Sequence, residues 1–221
     1  MHLEILVEDC SGKKLLEVLL PKIARDTHSW RIISYRGLGG VPKAMSDPRD
    51  ASKRIMLNNL PKLLRGYGRT FSAPGYSDYS CAVIVVCDLD KKCLDTFRQE
   101  LDDILLECNP APITCFCFAI EEMEAWLLGD IPAIKKAYPK AKQHVLDRYY
   151  NDSICDTWER LADSIYPGGA SILKRQGWQV IGAEKYKWAE NISPHMNICT
   201  NRSPSFRYFK FSIEKLLDTP G

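Results

Sequence analysis

Carboxylates at three separated points of the chain could together hold a divalent cation. They are Glu8, in Leu6-Val7-Glu8-Asp9; Asp88 and Asp90, in Val86-Cys87-Asp88-Leu89-Asp90; and the run Glu121, Glu122 and Glu124 after Ala119-Ile120. Each follows an apolar stretch with the look of a β-strand. In a parallel α/β sheet the carboxyl ends of the strands share one edge, where ligands bind. Carboxylates gathered there repel one another unless a cation joins them. Mg²⁺ (or Mn²⁺) suits such a site, because it needs few carboxylates and leaves positions for water and a substrate phosphate.

The individual residues are not equivalent. Asp88 and Asp90 are one residue apart, so in extended backbone they share a face. A lone Asp-x-Asp is also a common turn or cap, but this one follows a strand expected at the sheet centre, and Glu8 ends another. Asp9 would point away from Glu8 if the strand geometry persists. For the third cluster, a helix starting near Ile120 has an inward stripe of Ile120, Met123, Leu127 and Leu128. Glu124 borders that stripe, Glu121 lies one turn earlier, and Glu122 groups with Trp126 on the solvent side. The expected metal ligands are therefore Glu8, Asp88, Asp90, Glu124 and Glu121. An acidic first turn favoured by the helix dipole explains Glu121 nearly as well.

Basic residues could meet the phosphates of a polyanionic substrate. Arg36 precedes the glycine-rich stretch Gly37-Leu38-Gly39-Gly40, and Lys43, Lys185 and Arg202 are further candidates; each taken singly also reads as ordinary solvated charge. The glycines serve a turn at least as readily as a phosphate cradle. With no Gly-Lys-Ser/Thr there is no Walker A loop. The histidines show no metal-ligand spacing.

The elements that must position these groups are legible in outline. The chain has 221 residues, 45% hydrophobic and 26% charged, which argues against disorder. No apolar run approaches the roughly 18 residues of a membrane span, and the N-terminus enters a strand without a signal-like segment; a cytoplasmic protein is expected. Strands are expected over 3–8, 30–35, 81–87 and 113–120. The helices between them are expected from Ser11 as N-cap to about residue 23, over 51–64 and over 92–107, with 66–80 a loop. This βαβαβαβ order predicts an α/β fold with a mainly parallel four-stranded sheet flanked by helices. After Asp130 the pattern changes to short helices near 132–138, 141–150, 154–165, 182–192 and 205–217. That divides the chain into an α/β part, 1–130, and a helical extension, 131–221, packed on it. Residues 1–130 carry 16 Lys/Arg against 19 Asp/Glu, and 131–221 carry 14 against 9; an acidic site beside a basic extension suits a metal enzyme acting on a polyanion. The nine cysteines contain no Cys-x-x-Cys, and several sit inside apolar strands, where free cysteine acts as a small hydrophobe.

Glu after strand one, Asp-x-Asp after strand three and an acidic helix start after the next strand resemble the TOPRIM domain of topoisomerases, bacterial primases and the overcoming-lysogenization-defect nucleases. The nearest resemblance is to small stand-alone TOPRIM-like proteins of unassigned function, some found near bacterial defence genes. It rests on Val7-Glu8-Asp9-x-Ser11-Gly12, Glu124-Ala125-Trp126-Leu127-Leu128 and Ser203-Pro204-Ser205-Phe206. One departure stands out: many TOPRIM domains read Glu-Gly after strand one, whereas here Gly comes only at Gly12. The resemblance implies a TOPRIM-like sheet with Glu8, Asp88 and Asp90 catalytic: Glu8 in acid–base chemistry and metal binding, Asp88 and Asp90 on the metal, and Glu124 or Glu121 as the additional acid of the nuclease branch. The implied function is Mg²⁺-dependent phosphoryl transfer on nucleic acid, a nuclease acting in antiviral defence. The alternative it implies is a non-catalytic or conditionally active subunit working with an ATPase partner protein, since the chain has no nucleotide-hydrolysing motif. A haloacid-dehalogenase-type phosphatase would place Asp-x-Asp after the first strand, and a nucleotide-sugar enzyme leaves Glu8 unexplained. Topoisomerase action would need further domains with a nucleophilic tyrosine.

Overall fold

The computed structural model describes residues 1–24, 27–40, 55–76, 80–152 and 156–218. Four strands, β1 (His2–Val7), β2 (Ser29–Ser34), β3 (Cys81–Asp88) and β4 (Thr114–Ala119), form one parallel sheet in the order β2-β1-β3-β4. The expected α/β architecture, a four-stranded parallel sheet flanked by helices and followed by further helices, is the one observed. Among the described residues no helix is long and apolar enough to cross a membrane.

The strand order has a direct consequence for the site. The chain leaves β1 to pair β2 on one side, then crosses back so that β3 pairs the other side of β1. Between the carboxyl ends of β1 and β3 the succession therefore changes direction, and a crevice opens at such a switch point. Glu8 and Asp88 stand on its two sides.

Residue parity divides the core into two layers. Leu3, Ile5, Val7, Ala82, Ile84, Val86, Cys117 and Ala119 face one side with helix α1 (Cys10–Ile23); Leu6, Val83, Val85, Cys87, Phe116 and Phe118 face the other with α2 (Met56–Phe71) and α3 (Leu94–Leu106). β3, covered on both faces, is apolar from Cys81 to Cys87, and β1 is apolar apart from His2 and Glu4, as two-sided burial requires. The remaining helices, α4 (Glu124–Leu128), α5 (Ile131–Ala137), α6 (Gln143–Leu146), α7 (Thr157–Ile165), α8 (Gly169–Arg175), α9 (Trp178–Ile192) and α10 (Pro204–Leu217), contribute apolar side chains to the α1 layer.

Several boundaries differ from expectation for identifiable reasons. Helix α1 is capped by Asp9, not Ser11: the Asp9 carboxylate accepts from Gly12 N at 2.7 Å and from the Ser11 hydroxyl. Helix α2 continues to Phe71 through the stretch expected to be loop. Its two glycines are tolerated, and Gly68 is needed, since a Cβ there would lie 2.0 Å from the Pro110 carbonyl oxygen. The expected start of α2 at 51 lies outside the described residues. Helix α8 was not anticipated, and α9 begins at Trp178 rather than 182. Of the tryptophans after 130, Trp158 and Trp188 are buried and Trp178 is exposed.

Candidate metal centre

The three acidic clusters meet at the carboxyl edge of the sheet, and each reaches it differently. Glu8 and Asp88 follow directly from the last residues of the central strands. Glu124 is carried by α4, which is held from below. The Trp126 indole N–H donates to Ser205 Oγ at 2.9 Å, and the Trp126 ring packs on Phe206 and Phe209. Asn201 Nδ2 donates to the Trp126 carbonyl oxygen at 2.8 Å. The short motifs around Trp126 and Ser203–Phe206, some 75 residues apart, are thus two halves of one mount for Glu124.

Lys185 completes the site. Helix α9 runs beside α1 in the same direction: Lys14 pairs with Glu190 at 3.0 Å, and Lys22, further along α1, donates to the carbonyl oxygens of Ser193 and Met196. Lys185 is thereby level with the start of α1. Its Nζ lies 3.1 Å from Glu124 Oε2 and 3.6 Å from Glu122 Oε2, with the side chain largely buried. Burial works against its charge, yet Glu124, Glu122, Asp88 and Asp9 together hold it well above the ordinary lysine range.

One ammonium does not balance this many acids. Burial, then Asp90 and Asp9, push Glu8 up to about 7. Burial and then Glu8 push Asp88 well above the usual carboxylate range. Burial and then Glu124 push Glu122 up to about 8, and burial raises Glu124 against the pull of Lys185. Glu8 Oε2 and Asp88 Oδ1 are buried without any hydrogen-bond donor; Glu122 Oε2 and Glu124 Oε2 have only the off-axis ion contact with Lys185. Glu4 shows what a satisfied buried acid looks like in the same strand: it accepts from Arg31 Nε at 2.9 Å and from the Tyr67 hydroxyl at 3.2 Å.

These orphaned oxygens are the observation that bears on a cation. Buried carboxylate oxygens without donors are costly unless paired or ligating metal. All come from oxygen donors of the type Mg²⁺ and Mn²⁺ prefer, so the residues present fit such an ion, although among the described residues no three of them already stand at ligating spacing. Glu8 is central, acted on by Asp90 on one side and acting on Asp88 on the other.

A family model described as "Domain of unknown function (DUF4276)" matches residues 7–214. The chain belongs to this DUF4276 family. The match covers Glu8, Asp88, Glu124, Lys185 and the Ser203–Phe206 mount, so the whole site falls inside the DUF4276 region. No curated protein and no solved structure matches the chain.

The expected site residues fare unequally. Glu8, Asp88 and Glu124 converge. Asp90 does not share a face with Asp88: the strand ends, Asp90 takes a left-handed φ of 51°, and its exposed carboxylate turns toward Glu8, 3.4 Å from Lys92 Nζ. The helix expected from Ile120 begins only at Glu124, because Glu121 adopts φ 63° and breaks it. As a result Glu121 and Glu122 exchange the places expected of them. Glu121 faces the start of α7, its carboxylate accepting from the backbone N–H groups of Asp156 and Thr157, the latter at 2.7 Å. Glu122, expected on the solvent side, turns inward to Lys185. Lys185 itself is a buried partner of the acids, not a free phosphate contact. Arg36 is exposed beside the end of β1, where Gly37 N donates to the Glu8 carbonyl oxygen at 3.1 Å. Arg202 is exposed at the turn before α10, its N–H on the Gly129 carbonyl oxygen. Lys43 lies outside the described residues.

Sequence reasoning missed Asp9 and Glu122 as members of the cluster. Asp9 acts through its charge while capping α1, and the glycine displaced to position 12 has a packing reason: a Cβ there would sit 2.8 Å from Val7 Cγ2. The Asp9-x-x-Gly12 spacing was the available signal.

The raised acids set a pH dependence of stability. Glu8 and Glu122 hold protons in the folded chain, up to about pH 7 and 8, that the unfolded chain releases near 4.5. Between those limits the folded state binds more protons, so stability falls as pH rises, by up to about 1.4 kcal/mol per pH unit for each group titrating. Chemical denaturation in a chelator is expected to show higher stability at pH 6 than at pH 8, with the gap narrowed by millimolar Mg²⁺. A wild-type protein more stable at pH 8 in chelator would contradict this electrostatic picture.

Proposed function

We propose that this protein hydrolyses phosphodiester bonds in nucleic acid with the help of Mg²⁺ or Mn²⁺ held by Glu8 and Asp88, with Glu124 behind them and Asp90 at the exposed rim. The observation that carries the reading is the set of donor-less buried carboxylate oxygens from separate strand ends at the switch point of the sheet. The TOPRIM-like order of acids along the chain supports it further. When bound, the cation would polarise a phosphoryl oxygen and offset the charge that develops there.

The chain's own residues divide the remaining work. Glu8, whose buried Oε2 has no hydrogen-bond donor, is free to accept a proton there. It would take the proton from an attacking water as the water oxygen bonds to phosphorus. The P–O bond to the leaving nucleoside breaks, and that oxygen takes up a proton from solvent while Glu8 later returns its own to solvent, leaving a phosphomonoester and a free hydroxyl. Lys185 positions Glu124 and Glu122 and keeps their repulsion from opening the site. Arg36, exposed beside Glu8, is placed to meet a neighbouring phosphate of the strand.

Incubation of the full chain with plasmid, single-stranded DNA and RNA in Mg²⁺ or Mn²⁺ tests this. Cleavage is expected with at least one substrate, lost in chelator and in both Glu8→Gln and Asp88→Asn. Intact substrates throughout, or cleavage that survives both substitutions, would sink the proposal.

A further inference from the structure

A cavity of about 610 Å³ opens beside the carboxylates, between β4, α3 and α10. Two of its lining residues are close in the chain to the acids. Leu94 opens α3 just after Asp90, and Ile120 precedes Glu121, whose carbonyl oxygen accepts from Asp90 N at 2.9 Å. The cavity therefore lies at the β4 edge of the sheet, between α3 of one layer and α10 of the other, next to the turn that joins Asp90 to Glu121.

We propose that this cavity takes one unpaired nucleobase of the strand whose phosphate lies at the carboxylates. The inference rests on the hydrolytic reading for the phosphate and on the cavity's own chemistry for the base. Its floor is apolar: Leu94, Phe118 and Ile120. Its wall is a stack, with the Arg98 guanidinium 5.0 Å over the Phe118 ring and 5.5 Å over the Tyr208 ring, and Arg98 Nη1 donating to the Tyr208 hydroxyl at 3.5 Å. The two rings hold the Arg98 guanidinium, and Tyr208 is exposed, so its ring can still meet a planar π-system. Planar cations and tyrosine rings are the usual platforms for bases of single strands.

A polar group gives the cavity a means of reading an edge. Asn151 lines it, and its Oδ1 is buried without a donor. A side-chain amide pairs an acceptor with a donor, the pattern a base edge presents in reverse. The carboxylate of Asp152 stands in the same lining, already accepting from Ser203 Oγ and Ser205 N, and its charge balances that of Arg98, so the cavity has no surplus cation to draw a phosphate in. A space of this size accepts a base or a nucleoside but not a duplex, so the base must leave its partner. The inferred substrate class is accordingly an unpaired strand.

Binding of a labelled 12-nucleotide single strand and of a matched duplex, followed by fluorescence anisotropy in chelator so that nothing is cut, tests the inference on the full chain. Tyr208 is partly exposed, so Tyr208→Ala is expected to fold, with thermal unfolding as the check. It should weaken single-strand binding roughly 5- to 150-fold, the effect of losing one base–aromatic stack. Tyr208→Phe should retain binding, and duplex affinity should be low and unchanged. Equal single-strand affinity for wild type and a folded Tyr208→Ala, or no single-strand binding by wild type, overturns the inference. So does displacement of the effect onto duplex. Binding that depends on Tyr208 while no substrate is ever cleaved would retain the base site and remove the hydrolytic reading. Cleavage indifferent to Tyr208 would do the reverse.

Discussion

Asp88→Asn is expected to stabilise the metal-free protein and to abolish its hydrolytic activity. The two effects have one cause. Asp88 is buried, repelled by Glu8 and Glu124 and only partly relieved by Lys185, and one of its oxygens lacks any donor, so its charge is a cost to the fold that a bound cation would offset. Removing that charge relieves Glu8 as well. A higher Tm at pH 7.5 in chelator is expected; each 1 kcal/mol of relief corresponds to roughly 2–4 °C in a chain of this size. The rate of cleavage should fall by ~10²- to 10⁴-fold, the range for loss of a positioned catalytic group. Mg²⁺ should raise the Tm of the wild type by mass action and that of the variant less. Thermal unfolding with and without Mg²⁺, beside the cleavage assay, reads both. If Asp88→Asn instead lowers Tm in chelator, Asp88 is a structural anchor and the site is not built around a missing cation.

Lys185 should behave in the opposite sense. Lys185→Met leaves Glu124 and Glu122 facing one another and Asp88 in a buried site, without their shared cation. Breaking a buried charge cluster by removing one partner costs about 3–5 kcal/mol, and that loss is expected at pH 7.5. It should shrink toward pH 5.5. The acids, already raised with the lysine present, rise further without it, so the folded variant binds protons that the unfolded chain gives up, and stability is regained as pH falls. Lys185→Arg, which keeps the charge, should lose much less. Denaturant titrations at the two pH values measure the difference. A loss independent of pH would assign Lys185 a packing role alone.

The two substitutions also show where sequence reading reaches its limit. That Glu8, Asp88 and Glu124 belong to one site follows from strand-end position, since parallel strands must bring their carboxyl ends to a common edge. The role of Lys185 could not follow from local pattern. It depends on α9 lying alongside α1, a contact between residues some 170 apart in the chain, seen in Lys22 against Ser193 and Met196. Glu121 and Glu122 exchanged roles because helical periodicity was extended through Ile120–Met123, where a single left-handed residue resets the direction of every side chain after it. Asp90 failed to share a face with Asp88 for the same reason.

By itself the sequence determined the parallel α/β sheet, its four strands and the acids at their ends, because apolar runs and turn residues act over a few positions and burial on both faces imposes a pattern on each strand separately. Only the tertiary structure decided which of six acidic side chains point into the crevice, that a lysine from a distant helix partly neutralises them, and that a cavity lined by Arg98, Asn151 and Tyr208 opens next to them. Those outcomes depend on charges and rings from separate elements coming within a few ångströms. Such proximity is set by how layers pack, and no local stretch of the chain encodes it.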